Sequence, residues 1–403
     1  MSGRPRRIVV VGAGQAALSF AARARALDGQ AAITIVGEEP VAPYQRPPLS
    51  KAYLAGELPL DRLMLRDDAW YAEHRIELRC GERVVSIDRE AGRIETDNGD
   101  RIAYDALVLA TGSRARRLPA ELGGDGSNVR VMRTIADADA LAPHLRKGAR
   151  MVVVGGGYIG LEAAAVARRH GVEVVLLEAA QRILGRVAAP VTADYYRALH
   201  RAHGVEVREE ATLERLTDDA ALLSDGSSIA ADVVVVGIGI APNGELAEAA
   251  GLAVDNGIAV DAHASTSDPA IYAVGDCASF PHRGERVRLE SVPHAIHHAE
   301  TAAANMLGEA SAYEAMPWFW SDQYDVKLQI AGLNAGYERT VVRPGRREGA
   351  QSVWYYRGDE LLAVDAMNDA PAFMTARKLI EAGRGVPPDV AADPETSLRD
   401  FTA

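Results

Sequence analysis

Two glycine-rich turns, each followed along the chain by an acidic residue, have the residue types needed to hold the diphosphate of a nucleotide. The turns are residues 12–17 (GAGQAA) and 155–160 (GGGYIG). Their glycines permit a tight bend and let the backbone approach a pyrophosphate, which the free amides of the following helix can bind. An acid about 20 residues further on accepts a hydrogen bond from the adenosine ribose; Glu38 and Glu178 occupy these places. Two such turns predict two bound dinucleotides and suggest electron transfer between them.

Each turn stands between an apolar strand and a helix, as a dinucleotide site requires. Residues 7–11 and 151–154 form the preceding strands, and the strands that follow each helix end at the two acids. A lone Gly-x-Gly-x-x-Gly motif is weak evidence, whereas two complete βαβ copies are strong evidence. Further strands buried on both faces are predicted from near-continuous apolar runs at 104–110, 233–236 and 270–276.

The chain changes character after about residue 323. Alternating patterns at 327–330 and 352–356 predict an antiparallel sheet. We therefore expect an α/β protein with two doubly wound Rossmann-like dinucleotide-binding domains and a C-terminal α+β domain. The proline- and acid-bearing tail, 385–403, is expected to be loosely attached.

Composition and charge limit the functional class. The 403 residues fit two or three domains, and 48% hydrophobic with 25% charged residues is typical of a soluble globular enzyme. A net charge of −12 argues against nucleic acid or an anionic membrane as the main partner. Cys80 and Cys277 form no paired motif, which favours a reducing, cytoplasmic location without a metal-ligand cluster. The basic N-terminus resembles a signal peptide, but cleavage would destroy the first nucleotide turn.

Several motifs, in this order along nearly the whole chain, resemble those of a known family. Besides the two turns, they are RPPLSK at 46–51, ATG at 110–112, GDCA at 275–278, ESVP at 290–293 and PWFWSDQY at 317–324. The chain resembles the two-dinucleotide flavoprotein reductases, and among them the NADH-dependent ferredoxin reductases of the putidaredoxin reductase type. The segments 46–51 and 317–324 are the most specific to this subgroup.

The resemblance implies that the first turn holds FAD and the second holds NADH. It divides the chain into a discontinuous FAD-binding domain, an inserted NAD-binding domain and a C-terminal domain beside the flavin. The predicted boundaries are 1–113 with 247–322, then 114–246, and then 323–403.

The resemblance also implies residue roles around FAD. Glu38 binds the adenosine ribose, Asp276 binds a ribityl hydroxyl, and Lys51 lies near the isoalloxazine. The helix that begins at Val292 directs its positive N-terminus at the flavin C2 carbonyl. The pyrophosphate of FAD is expected to contact Gly12, Gly14 and Ala16. The backbone of Val84 contacts the adenine. Arg46 and Arg133 are two further cations of the site.

In the second unit, Gly155, Gly157, Tyr158, Ile159 and Gly160 take the NADH pyrophosphate. Glu162 approaches the nicotinamide carboxamide and, with Lys51, is expected to be catalytic. Because Glu178 repels a 2′-phosphate, we expect NADH to be preferred over NADPH. The remaining cofactor contacts that the resemblance implies are Thr111, Gly112, Gly239, Gly275, Glu290 and Trp320.

The implied reaction passes a hydride from NADH to FAD and then single electrons to a [2Fe–2S] ferredoxin, which serves a cytochrome P450 or another oxygenase such as a dioxygenase. The ferredoxin is expected to be acidic, so exposed arginines are candidates for docking it: Arg66, Arg286, Arg288 and Arg339. We expect no metal site, because the histidines at 294, 297 and 298 have no further ligand to complete one. Cys277 is expected to be a buried packing residue.

Other functions within the same fold stay open to different degrees. A disulfide reductase needs a cysteine pair in the first helix, and residues 15–27 contain none. Peroxide-reducing relatives use a cysteine in the loop at 40–50, which also lacks one. A reductase of rubredoxin or of another redox protein, or a slow, non-catalytic NADH-sensing flavoprotein, remains an alternative.

Overall fold

A computed structural model describes residues 6–402, so residues 1–5 and 403 of the predicted outer domains lie outside the described residues. The described residues form nine α-helices: α1 (Gln15–Leu27), α2 (Asp68–Glu73), α3 (Ile135–Leu141), α4 (Tyr158–Arg169), α5 (Pro190–Ala202), α6 (Glu245–Ala249), α7 (Val292–Met306), α8 (Ala370–Glu381) and α9 (Pro388–Ala392).

The same residues contain twenty-six strands: β1 (Arg7–Val11), β2 (Ala32–Gly37), β3 (Ile76–Cys80), β4 (Val84–Asp88), β5 (Arg93–Thr96), β6 (Arg101–Ala103), β7 (Ala106–Leu109), β8 (Ser113–Ala115), β9 (Val129–Arg130), β10 (Arg150–Val154), β11 (Glu173–Leu177), β12 (Glu206–Arg208), β13 (Leu213–Leu216), β14 (Ala220–Leu223), β15 (Ser228–Ala230), β16 (Val233–Val236), β17 (Ile240–Pro242), β18 (Ile258–Ala259), β19 (Ile271–Ala273), β20 (Ala278–His282), β21 (Glu285–Val287), β22 (Trp318–Gln323), β23 (Val326–Gly332), β24 (Arg339–Pro344), β25 (Gln351–Arg357) and β26 (Glu360–Met367).

The chain divides into two compact units. Of the described residues, unit 1 contains those up to 45 together with 60–114 and 241–317, and unit 2 contains 46–59, 115–240 and those from 318 onward. The three-domain division inferred from the sequence stays a prediction.

Unit 1 is built on a parallel sheet of five strands in the order β19-β7-β1-β2-β3. Val10 on one face of β1 belongs to the same buried cluster as Phe20 of α1 and Ala299 of α7. Val9 on the other face packs in a second cluster with Phe280. Burial of both faces explains why the strands read as apolar runs without alternation. The strands predicted at 104–110 and 270–276 are present but shorter.

Unit 2 contains a second five-stranded parallel sheet, in the order β12-β11-β10-β16-β9. The central strand β10 pairs Val152 with Val175 on one side and with Val234 on the other. The strand predicted at 233–236 has those same bounds in the structure. Both predicted βαβ copies are therefore present.

Unit 2 also contains an antiparallel sheet in the order β22-β23-β26-β25-β24. Trp354, Tyr355 and Tyr356 in β25 are fully buried, so both faces of this strand are covered. Helix α8 packs on the sheet, with the Phe373 ring centroid 5.8 Å from that of Trp318. The expected fold class, two Rossmann-like α/β sheets with a C-terminal α+β part, is confirmed.

The C-terminal tail is attached more firmly than the sequence predicts, so that expectation is wrong. The Arg343 guanidinium donates to the carbonyls of Ala391 at 3.1 Å and Thr396 at 2.7 Å. The Tyr356 hydroxyl donates to the Val386 carbonyl at 3.0 Å. One arginine and one tyrosine of the sheet thus bind the tail backbone, and composition alone does not reveal such partners.

Candidate functional site

The first glycine-rich turn has the geometry of a nucleotide turn. Gly12 has φ +108°, and a Cβ there would lie 2.2 Å from the Ala110 carbonyl oxygen, so only glycine fits. A Cβ at Gly14 would meet no described residue within 4 Å. Gly14 caps α1 without a side-chain hydrogen bond, and the first turn of that helix contains no acid. The open space in front of a helix N-terminus suits a phosphate group, so these residues fit the diphosphate of FAD.

Other predicted FAD residues gather where the strands of this sheet end. A Cβ at Gly275 would lie 3.0 Å from the Ala16 Cβ, which brings these two predicted contacts together. Glu38 directly follows β2 and is exposed. Asp276 follows Gly275, and its carboxylate accepts a hydrogen bond from the Ser113 hydroxyl at 2.9 Å.

The segment after β7 is held to the segment before α6. The Thr111 hydroxyl donates to the Asn243 carbonyl at 2.6 Å, and the Asn243 amide donates to the Gly112 carbonyl at 3.0 Å. Gly112 has φ +65°, which explains the glycine at this position. The Thr-Gly pair therefore has a structural role in the turn, beside its expected contact with a cofactor.

The remaining predicted residues of unit 1 lie in three places. Val84 is half-buried at the start of β4. Glu290 forms an ion pair with Arg288 at 2.6 Å, and the Arg288 side chain is only 10% exposed, so Arg288 is a poor docking candidate. Val292 is the first residue of α7, as predicted, and the Ser291 hydroxyl accepts from the His294 amide at this N-terminus.

The second glycine-rich turn repeats the first. Gly155 has φ +105°, and a Cβ there would lie 2.4 Å from the Gly237 carbonyl oxygen. A Cβ at Gly160 would lie 2.2 Å from the Gly155 carbonyl, so α4 packs closely on the strand. Gly157 caps α4 without a side-chain hydrogen bond, and its missing side chain would meet no atom nearer than 3.9 Å. This turn therefore fits the diphosphate of NADH.

The Glu178 carboxylate is fixed at the edge of this turn. One oxygen accepts from the Gly156 amide at 2.8 Å, and the other accepts from the Ala180 amide at 2.8 Å. The charge therefore sits beside the nucleotide turn, where the ribose-binding acid of a dinucleotide site is required.

Tyr158, Ile159 and Gly239 lie near the same turn. The Tyr158 ring contacts Phe319 with centroids 5.0 Å apart, and its buried hydroxyl has no hydrogen-bond partner among residues 6–402. Ile159 is 42% exposed in the first turn of α4. Gly239 has φ +99°, and its carbonyl accepts from the Arg116 amide at 2.9 Å.

Lys51 and Glu162, the two predicted catalytic residues, are in direct contact. The Lys51 ammonium lies 2.7 Å from Glu162 Oε2, and the Glu162 side chain is 1% exposed. The Ser50 hydroxyl donates to the same oxygen at 2.5 Å, and the Ser321 hydroxyl donates to Oε1 at 2.6 Å. A carboxylate with donors on both oxygens is held in one orientation.

Three other predicted cofactor residues belong to unit 2. The Arg46 guanidinium donates to the Arg133 carbonyl at 2.8 Å, so these two predicted cations are neighbours. Trp320 lies in β22, with its ring centroid 5.6 Å from that of Trp318. Their contacts with a cofactor stay predictions.

Within residues 6–402, no group of three or more His, Cys, Asp or Glu residues is arranged to hold a metal ion. His294 and His298 are instead buried in an aromatic cluster with Phe280 and Tyr313, and burial lowers the pKa of both histidines. Cys277 is fully buried, as expected, and burial raises the pKa of its thiol.

The structure adds residues to which the sequence reasoning gave no role. Ser50, Ser321 and Gln323 lie inside motifs specific to the family, and this location in the sequence could have indicated a role for them. His200 in α5 has no local motif, but its Nε2 lies 2.9 Å from Gln323 Oε1. Only the packing of α5 against the antiparallel sheet reveals it.

Comparisons with known proteins agree with this geometry. The family model described as pyridine nucleotide-disulphide oxidoreductase matches residues 6–299, and one described as reductase C-terminal matches residues 318–402. Putidaredoxin reductase of Pseudomonas putida is 42% identical, over 98% of this chain and 96% of its own length. The ferredoxin–NAD(+) reductase component of the anthranilate 1,2-dioxygenase system of Burkholderia cepacia is 44% identical over the full length of both chains. In the crystal structure of a covalent putidaredoxin reductase–putidaredoxin complex, a chain 42% identical superposes with a TM-score of 0.94, covering 98% of both chains.

Proposed function

The chain belongs to the pyridine nucleotide-disulphide oxidoreductase family, and we propose that it is an NADH-dependent reductase of a [2Fe–2S] ferredoxin that serves a cytochrome P450 or another oxygenase. It is an FAD-dependent oxidoreductase that uses NAD(H). The observation that carries the proposal is the pair of nucleotide turns, each with an open helix N-terminus, in a chain without a cysteine in its first helix. The absence of that cysteine removes the sulfur relay of a disulfide reductase.

Bound FAD would supply an acceptor for the hydride of NADH and a donor of single electrons. The chain supplies binding and orientation. In unit 1, the amides at the start of α1 hold the FAD diphosphate, Glu38 holds the adenosine ribose and Asp276 holds a ribityl hydroxyl. The N-terminus of α7, at Val292, offers a positive dipole to an anionic group.

In unit 2, the residues at the start of α4 hold the NADH diphosphate and Glu178 holds the adenosine ribose. Glu162 holds the nicotinamide carboxamide, since a carboxylate accepts from an amide NH₂ group. The Lys51 ammonium stabilises the negative charge of that buried carboxylate.

The ferredoxin is an acidic partner, so it is attracted by exposed arginines. Arg66, Arg286 and Arg339 are exposed and remain candidates. Exposed charges are screened over about 8–10 Å at physiological salt. The rate of electron delivery to a ferredoxin should therefore fall as ionic strength rises, and a rate independent of salt would contradict charge-guided docking.

Within residues 6–402, no helix is long and apolar enough to cross a membrane. The cytoplasmic location stays a prediction.

Stopped-flow reduction of the FAD-loaded protein by NADH, followed by steady-state turnover with a [2Fe–2S] ferredoxin, tests the proposed function. We expect rapid bleaching of the flavin and turnover that depends on the ferredoxin. Turnover with a rubredoxin but not with any ferredoxin would contradict the proposed partner and indicate a rubredoxin reductase. A long-lived charge-transfer complex that passes electrons to neither protein would indicate an NADH sensor.

A further inference from the structure

A row of buried polar side chains leads from the Glu162 carboxylate into the interior of unit 2. Glu162 Oε1 is 2.6 Å from the Ser321 hydroxyl, which is 3.1 Å from Gln323 Nε2. Gln323 Oε1 is 2.9 Å from His200 Nε2, and His200 Nδ1 is 3.4 Å from the Tyr324 hydroxyl. Of these residues, Glu162 is 1% exposed and Ser321, Gln323 and His200 are fully buried.

The chemistry of the groups fixes the direction of every bond in this row. The carboxylate only accepts, so the single Ser321 proton points at Glu162 and the Ser321 oxygen accepts from the Gln323 amide. The Gln323 carbonyl then faces His200, which must carry its proton on Nε2. Burial lowers the pKa of His200 to about 4, so the ring is neutral near pH 7, and Nδ1 is free to accept from Tyr324.

The row joins three elements that are far apart in the sequence. Glu162 lies in α4, Ser321 and Gln323 lie in β22, and His200 lies in α5. Removal of the His200 donor leaves the buried Gln323 carbonyl unsatisfied, so Gln323 and the Ser321 hydroxyl bonded to it are held less firmly against Glu162. Such partners of a functional group fix its orientation although they do not touch the ligand.

We propose that His200 and Gln323 are positioning residues, which hold the Glu162 carboxylate in the orientation that receives the nicotinamide carboxamide. This inference rests on the proposed function, in which Glu162 binds that carboxamide. Lys51 and Ser50 hold Oε2 and the row holds Oε1, so the carboxylate cannot rotate. A purely structural row would stabilise the fold without affecting one part of the ligand more than another.

Ligand binding to the oxidised, FAD-loaded protein tests the proposal without turnover. Isothermal titration calorimetry would compare two probes, ADP-ribose and a tetrahydronicotinamide analogue of NADH that cannot donate a hydride. His200→Leu should weaken the analogue about fivefold, the effect of one buried hydrogen bond, while ADP-ribose binding changes less than about twofold. His200→Gln, which retains an amide donor, should restore most of the lost affinity for the analogue.

Two further variants make the result decisive. Ser321→Ala removes the last donor of the row and should act like His200→Leu, so it decides the question if His200→Leu does not fold. Ser352→Ala is the matched control, because Ser352 is a fully buried serine of the same antiparallel sheet that accepts from Trp354 Nε1 and does not contact Glu162. It should leave the affinity for both probes unchanged.

Glu162→Ala, which removes the acceptor, distinguishes failure of the proposed function from failure of the positioning role. If this variant binds the analogue as tightly as the wild type, the proposed role of Glu162 is wrong, and the positioning role falls with it. If Glu162→Ala weakens the analogue but His200→Leu and Ser321→Ala do not, only the positioning role is overturned. Equal weakening of both probes by His200→Leu would also overturn it, since that result indicates general disruption of the fold.

Discussion

Asp365 in β26 is a fully buried carboxylate whose cost to stability depends on pH. Its Oδ2 accepts from the Thr192 hydroxyl at 2.8 Å and from the Tyr355 hydroxyl. Burial raises the pKa of Asp365 from 3.8 to about 6, although the two hydroxyl donors act in the opposite direction. This difference makes the ionised side chain about 3 kcal/mol less favourable in the folded protein than in the unfolded chain.

The sign of the pH dependence follows from proton binding. Between pH 3.8 and about 6, the folded protein binds a proton at Asp365 that the unfolded chain has released. The free energy of unfolding therefore falls as the pH rises through this window. Asp365→Asn cannot ionise, so its free energy of unfolding relative to the wild type should increase by about 2 kcal/mol between about pH 4.5 and pH 8.

Urea unfolding of both proteins at a series of pH values, followed by circular dichroism, measures this difference. A pH-independent effect of the asparagine, such as an unsatisfied NH₂ group, changes the free energy of unfolding equally at every pH and does not affect its dependence on pH. Asp359→Asn is the control, because that side chain is 91% exposed on the turn before β26. If the free energy of unfolding of Asp365→Asn relative to the wild type stays constant or decreases as the pH rises, the raised pKa of Asp365 is refuted.

Three further predictions concern FAD binding, nucleotide preference and stability at acidic pH. Gly14→Val should fold normally but weaken FAD binding at least about tenfold, because the valine side chain fills the open space before α1, whereas Gly12→Val should destabilise the fold. Equal FAD affinity of Gly14→Val and the wild type would contradict the proposed diphosphate site. The wild type should prefer NADH, and Glu178→Gln should raise kcat/KM for NADPH relative to that for NADH about tenfold, because it removes a negative charge that repels the 2′-phosphate. Steady-state kinetics measures the ratio of the two kcat/KM values, and an unchanged ratio in Glu178→Gln would contradict this role of Glu178. Burial lowers the pKa of His294 to about 4, so the free energy of unfolding falls as the pH drops below 6.5, by about 2 kcal/mol at about pH 5. In urea unfolding over this range, His294→Asn should lose less stability than the wild type, and an equal loss would contradict the lowered pKa.

Local sequence patterns were sufficient for the nucleotide turns and the parallel strands. A turn such as 155–160 needs glycine because of its backbone angles and close contacts, and β16 is a run of valines because both its faces are buried. Both causes act within a few residues, so the sequence shows them directly. The family resemblance added Lys51 and Glu162, whose contact the structure shows.

Features that depend on distant partners could not be predicted in this way. His200 is 123 residues from Gln323, and nothing in the pattern of α5 distinguishes it from an ordinary buried residue of an amphipathic helix. The prediction of a loosely attached tail is wrong for the same reason, since Arg343 binds backbone carbonyls about fifty residues away. Single-sequence patterns record periodicity and turn chemistry, but not which distant polar groups meet.

Anaerobic titration of the purified, FAD-loaded protein with NADH, followed through its visible absorption spectrum, is the most direct test that this chain transfers electrons from a pyridine nucleotide to a flavin. A yellow protein whose flavin band is bleached by a stoichiometric amount of NADH is the expected result. A protein that binds no FAD on reconstitution, or whose bound flavin stays oxidised in excess NADH, would contradict it.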